Sequence, residues 1–272
     1  MIKDILVHVD STPTGKRRLS YAFDVAERHQ ARLTGLHVLA AVDVPPCYKP
    51  SKIEHVAAAL EERAADNTLT SEELFKSVAS SRPAPALWQA LEGEMARGIC
   101  NLARWSDLVI LGQYERQDAA ERHPLSLAEE VAADCGRPVL VVPAAVSSGH
   151  MRRALIAWDG KREAVRALHD ALPLLRQART VAEIAIIDEN GSTQTLEPLL
   201  DHLRRHQIVI EGDVHLKPSG SKASALVDRL KQGHFDLLIM GAHSHPAWLE
   251  FFFERTTPST LLNASAPVLI SH

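Results

Sequence analysis

The strongest constraint on this 272-residue chain is that part of it is written twice. Asp107 to Gly112 reads DLVILG, and Asp236 to Gly241, 129 residues further on, reads DLLIMG. Pro138 to Val142 (PVLVV) and Pro267 to Ser271 (PVLIS) keep the same 129-residue offset, so two registers agree at once. Upstream, ILVHVD ends at Asp10 and LIAWD ends at Asp159, here 149 residues apart. The first copy is therefore 20 residues longer between its first and fourth apolar runs. The surplus falls at about 41–82, where PPCYKPS reads as a loop and Ser51 to Ala79, rich in Ala, Glu and Leu, as one or two helices. Ala144 to His150 (AAVSSGH) is small and polar and reads as a linker. The expected domains are 1–143, carrying the helical insertion, and 151–272.

Within each copy, short unbroken apolar runs alternate with longer helix-period stretches. That is the pattern of parallel strands buried on both faces and joined by crossover helices. The runs near Ile2 to Val9, Arg32 to Leu39, Ala86 to Leu91, Leu108 to Leu111 and Val139 to Val142 give five strands in copy one. Ala154 to Trp158, Val181 to Ile187, Ile208 to Leu216, Leu237 to Met240 and Val268 to Ile270 give five in copy two. The expected class is α/β: two tandem, doubly wound, five-stranded parallel-sheet domains. The offset also predicts that the halves are related by a pseudo-two-fold axis.

Charge and cysteines narrow the function. Thirty basic against 34 acidic residues, net −4, give no basic field of the kind that draws nucleic acid or anionic lipid, so neither is expected as a partner. The opening MIKDILVHVD is too short and too charged for a signal peptide or membrane span. Three scattered cysteines, Cys47, Cys100 and Cys135, fit a reducing compartment, and the expected location is cytoplasmic. Neither a GxxxxGK[ST] phosphate loop nor a GxSxG nucleophile turn occurs. No catalytic residue is assigned. His243 and His245 lack an acidic or cysteine partner nearby, so no metal ligand is assigned there either. Trp248 and Phe251 to Phe253 form an apolar cluster expected to pack against the sheet or the other half, with an apolar ligand as the rival reading.

The strand-end aspartates, the DLVILG-type fourth strand opening a long loop and the PVLVV-type fifth strand, twice in order, resemble the universal stress protein family over nearly the whole chain. The resemblance implies an adenine nucleotide alpha hydrolase-like fold and an adenine nucleotide, ATP with Mg, as ligand. It also implies that the two fifth strands meet, making an internal pseudo-dimer that can pair further as a homodimer. Nucleotide-binding members follow strand four with Gly, two residues, Gly, nine residues, Gly, then Ser or Thr, bringing backbone amides against phosphate. Here Gly112 and Ser126 match, while Glu115 and Leu125 replace the inner glycines. In copy two Gly241 matches, Ser244 replaces the second glycine, and Glu254 and Arg255 stand at the last two positions, with Thr256 and Thr257 following. The implied nucleotide contacts are Asp10, Val38, Gly112 and Ser126 in copy one, and Asp159, Ile187, Gly241 and Thr256 in copy two. Asp10 and Asp159 read equally as caps of the following helices. The leading expectation is a stress-response protein with degenerate phosphate loops and a regulatory, binding role. A scaffold for a protein partner or apolar ligand, and a weak ATPase, are the alternatives.

Overall fold

The computed structural model describes residues 1–39, 50–113, 127–177, 181–186, 196–215, 221–242 and 256–272. Copy one runs β1 (Asp4–His8), α1 (Pro13–His29), β2 (Arg32–Leu39), α2 (Pro50–Ala79), β3 (Ala86–Glu92), α3 (Met95–Ala103), β4 (Leu108–Gly112), α4 (Leu127–Asp134) and β5 (Val139–Val142). Copy two repeats the order with β6 (Arg153–Trp158), α5 (Arg162–Gln177), β7 (Val181–Ile186), α6 (Leu196–Arg205) and β8 (Val209–His215). It ends in α7 (Lys222–Gln232), β9 (Leu237–Gly241), α8 (Thr256–Asn263) and β10 (Val268–Ser271).

The ten strands form one sheet in the order β3-β2-β1-β4-β5-β10-β9-β6-β7-β8. Every pairing is parallel except β5 with β10, which is antiparallel. Their register is symmetric. Leu140 pairs with Leu269, its own repeat equivalent, flanked by Val141 with Val268 and Val139 with Ile270. The pseudo-two-fold axis therefore passes between Leu140 and Leu269, and the edges that each half would otherwise expose satisfy one another.

Alternate residues of each strand enter two cores. Ile5, Val7, Ile110, Leu140, Ile156, Ile239 and Leu269 face α1, α2, α5 and α6. Leu6, Val109, Val139, Leu155, Leu238 and Val268 face α3, α4, α7 and α8. Burying each such side chain contributes roughly 1.5–3 kcal/mol.

The helix ends are fixed locally. Thr12 caps α1 by accepting a hydrogen bond from the Gly15 amide at 2.9 Å, Pro13 takes the first turn, and Gln30, at φ 52°, ends the helix in the left-handed conformation. The cap of α1 is thus Thr12 rather than Asp10. The length surplus of copy one appears as helix: α2 has 30 residues where its counterpart α6 has 10.

The aspartate that opens the repeated DLVILG and DLLIMG motifs has a structural task. Asp107 Oδ2 accepts from the amides of Lys3 (2.7 Å) and Asp4 (3.1 Å), and Asp236 Oδ1 accepts from Arg152 (3.0 Å) and Arg153 (2.9 Å). Each pins the start of its first strand to its fourth. Copy two also buries Glu183 on β7, which accepts a forked hydrogen bond from Arg229 on α7, with Nε at 2.6 Å.

Candidate functional site

In each half the strand order reverses between the first and fourth strands. Helices leave these neighbours toward opposite faces and open a crevice at their carboxyl ends, where α/β sheets bind ligands. In copy one that place is bounded by His8 and Asp10 after β1, and by Gly112 at the end of β4.

The copy-one crevice holds a guanidinium. Arg18 lies on the buried stripe of α1 with Gly15, Leu19 and Ala22, and its side chain is 7% exposed. Its Nε donates to the His8 carbonyl at 2.9 Å and its Nη2 to Asp10 Oδ2 at 2.5 Å. Its Nη1 lies over Gly112, where any Cβ would collide with it. The other Asp10 oxygen accepts from the Thr12 amide at 3.0 Å and from the Thr12 hydroxyl. Gly15 is equally constrained, because a Cβ there would run into the Asp10 carboxylate. The two glycines of this site therefore make room for an ion pair.

The charges respond accordingly. Burial works to raise the Asp10 pKa, but the Arg18 guanidinium and the hydrogen bonds from Thr12 and Arg18 outweigh it and hold the carboxyl at about 2. Burial, reinforced by Arg18, pushes His8 down to about 3. Val38 is a core residue at the end of β2, packed against Gly98 of α3.

Copy two closes the same place differently. The equivalents of Gly15 and Arg18, 149 residues on, are Ala164 and Ala167, both buried. With no long side chain between them, α5 lies directly on β9: a Cβ on Gly241 would stand 2.7 Å from the Glu163 carbonyl carbon and 2.8 Å from the Ala164 nitrogen. Asp159 accepts from the Lys161 amide at 3.0 Å and lies 3.7 Å from its ammonium.

Of the expected contacts, the structure brings Asp10 and Gly112 together through Arg18, and sets Val38 in the adjacent core. Ser126, Ile187 and the loop positions Glu115, Leu125, Ser244, Glu254 and Arg255 lie outside the described residues, as do His243, His245, Trp248, Phe251 to Phe253 and Cys47. Thr256 begins α8, and its side chain lies outside the described residues. Arg18 was missed because a charged residue on a helix reads as solvated. The signal was there: Arg18 falls on an apolar stripe, and the second copy carries Ala167 at that position.

The Asp10 carboxylate does not suit a magnesium ion of its own, since its oxygens are taken by Arg18 and Thr12 and the neighbouring guanidinium repels a cation. Among the described residues, no group of three or more His, Cys, Asp or Glu is placed to hold a metal. Cys100 and Cys135 are buried free thiols, Cys100 pushed up to about 12 by burial and by Cys135, so neither is a poised nucleophile. Among the described residues, no helix is long and apolar enough to cross a membrane.

Fold and topology together define a tandem α/β protein of the doubly wound type, with a switch point between the first and fourth strands of each half. The chain belongs to the universal stress protein family, whose model matches residues 1–143, more than half of its length. The structure is similar to that of a universal stress protein from Archaeoglobus fulgidus DSM 4304, with a TM-score of 0.75 at 16% identity, covering 98% of this chain and 95% of that one. It is also similar to a protein of unknown function from Pseudomonas aeruginosa PAO1, with a TM-score of 0.58 at 12% identity, covering 99% and 92%. At such identities the likeness concerns the fold. No curated protein matches the chain.

Proposed function

We propose that the chain is a cytoplasmic, non-catalytic stress-response protein whose first copy takes an adenine nucleotide weakly and whose second copy takes none. The domains involved are 1–143 and 151–272. Magnesium would arrive with ATP, bound to its phosphates. The observation that carries this reading is the contrast between the crevices: Gly112 is covered by the end of a long side chain, Gly241 by the backbone of a helix. Family membership supplies the ligand class, and Asp10 at the end of β1 supplies an acceptor for nucleoside hydroxyls.

Titration calorimetry with magnesium-ATP tests the reading. Weak binding is expected, abolished by Asp10→Asn and left nearly unchanged by Asp159→Asn. Tight binding lost only in Asp159→Asn would place the site in the second copy and overturn the reading. A second reading, a scaffold without nucleotide, is favoured by the prior engagement of Asp10 with Arg18. Absence of ATP binding in every variant, with no nucleotide released from freshly purified protein in mass spectrometry, would select it.

A further inference from the structure

We propose that Arg18 is the resident occupant of the copy-one crevice and decides, by holding Asp10 and covering Gly112, how far a nucleotide can enter. The proposal rests on the reading above that this crevice is of the nucleotide type.

The argument starts from the placement of the guanidinium. It bridges the ends of the two strands that define the crevice, bonding to the His8 carbonyl and Asp10 on the β1 side and lying over Gly112 on the β4 side. A ligand that needs the Asp10 carboxylate competes with a charge-assisted hydrogen bond from Arg18. A ligand that needs close approach to the Gly112 backbone must move the same group. Both demands therefore meet in one side chain. Arg18 Nη1 makes no hydrogen bond among the described residues, so the atom nearest Gly112 is the least anchored part of the group.

The second copy is an internal control. There Ala167 leaves no side chain to retract, and the backbone of Glu163 and Ala164 rests on Gly241. A single substitution can open the first crevice, whereas opening the second means moving a helix. The apparent affinity of a site that must first vacate itself is its intrinsic affinity scaled by the fraction of molecules already open. Arg18 is then a specificity-determining residue: it weakens every ligand that depends on Asp10, and its release by a partner or a condition would strengthen them.

The test measures magnesium-ATP and adenosine binding by calorimetry on the full chain and on Arg18→Ala, Asp10→Asn and the double variant, with thermal melts to confirm folding. Copy two tolerates alanine at this position, which supports folding of Arg18→Ala. Arg18→Met, which keeps the packed stem and removes the bridging group, serves if it does not fold. Arg18→Ala, or Arg18→Met in its place, is expected to bind ATP at least tenfold more tightly than the parent, and the double variant to lose that gain. A folded Arg18 variant that binds ATP no more tightly than the parent overturns the proposal, and so does a gain that survives Asp10→Asn. If the parent binds no ATP but an Arg18 variant does, the gate stands and weak binding by the parent is wrong. If the parent binds and the Arg18 variants bind equally, the function stands and the gate is wrong.

Discussion

His29 shows how much a single buried residue ties this fold to pH. It closes α1, is 5% exposed, and its Nδ1 has no hydrogen-bond partner. Burial, with the chain amino group and Arg28 adding to it, pulls its pKa down to about 4. The folded state thus keeps His29 neutral where the unfolded chain, with a pKa near 6.5, takes up a proton. Stability from this group is full above about 6.5 and falls as pH drops toward 4, by about 1–3 kcal/mol. We expect denaturant unfolding at pH 4.5 to show that loss relative to pH 7, and His29→Gln to reduce it, with His8 responsible for part of what remains. An unchanged pH slope in His29→Gln would assign the loss to other groups. Asp10 acts lower, losing its contribution only between about 3.8 and 2. At this scale the sequence was partly readable: Asp10 stood out as a strand-end aspartate repeated at Asp159, but a helix cap and a ligand acceptor were equally good readings until Thr12 proved to be the cap. Its partner was harder to read, because a charged residue on a helix is ordinarily solvated, and only its place on the apolar stripe of α1 and the contrast with Ala167 point to it.

Strands were the most legible elements, since parallel strands buried on both faces must be written as unbroken apolar runs, as in Leu108 to Leu111 and Leu237 to Met240. The Asp107 and Asp236 carboxylates were visible as part of a repeat, yet their use was not, because it depends on amides 83 to 104 residues away in sequence. The retained glycines misled more. Gly112 and Gly241 occupy the same family position and suggest phosphate approach, but what each adjoins is set by the helix above it. This gives a prediction at the level of elements. A methyl group at Gly241 meets helix backbone at 2.7 and 2.8 Å, so α5 must shift off β9, whereas a methyl at Gly112 meets the end of a long side chain that can turn away. Gly241→Ala should therefore destabilise by about 1–3 kcal/mol, the usual cost of overpacking, and Gly112→Ala by clearly less. Chemical denaturation of the two variants measures the difference, and equal losses would mean that Arg18 is held as rigidly as a helix.

The join between β5 and β10 turns two small sheets into one. Because it pairs Leu140 with Leu269, residues equivalent under the repeat, each half presents the other with a copy of its own edge. Such an interface is isologous, and a patch that is complementary to its equivalent is also complementary to itself. Further contacts reinforce the join: Gln113, directly after Gly112, donates to the Leu261 carbonyl at 2.6 Å and the Ala264 carbonyl at 3.2 Å, reaching from the copy-one crevice to the end of α8. With β10 absent, the β5 edge is a buried, apolar, four-residue strand with unpaired backbone groups, which water solvates poorly and another strand satisfies well. The first half expressed alone as residues 1–148 is therefore expected to dimerise through β5, pairing Leu140 with Leu140. The full chain, whose edge is already satisfied internally, should not associate by this route. Sedimentation equilibrium distinguishes the outcomes: the half at twice its own mass, reduced to monomer or driven to aggregation by Leu140→Lys, and the full chain insensitive to β5 exposure. A half that stays folded and monomeric would mean that the antiparallel join depends on contacts beyond the strands, with Gln113 and α8 the first to examine.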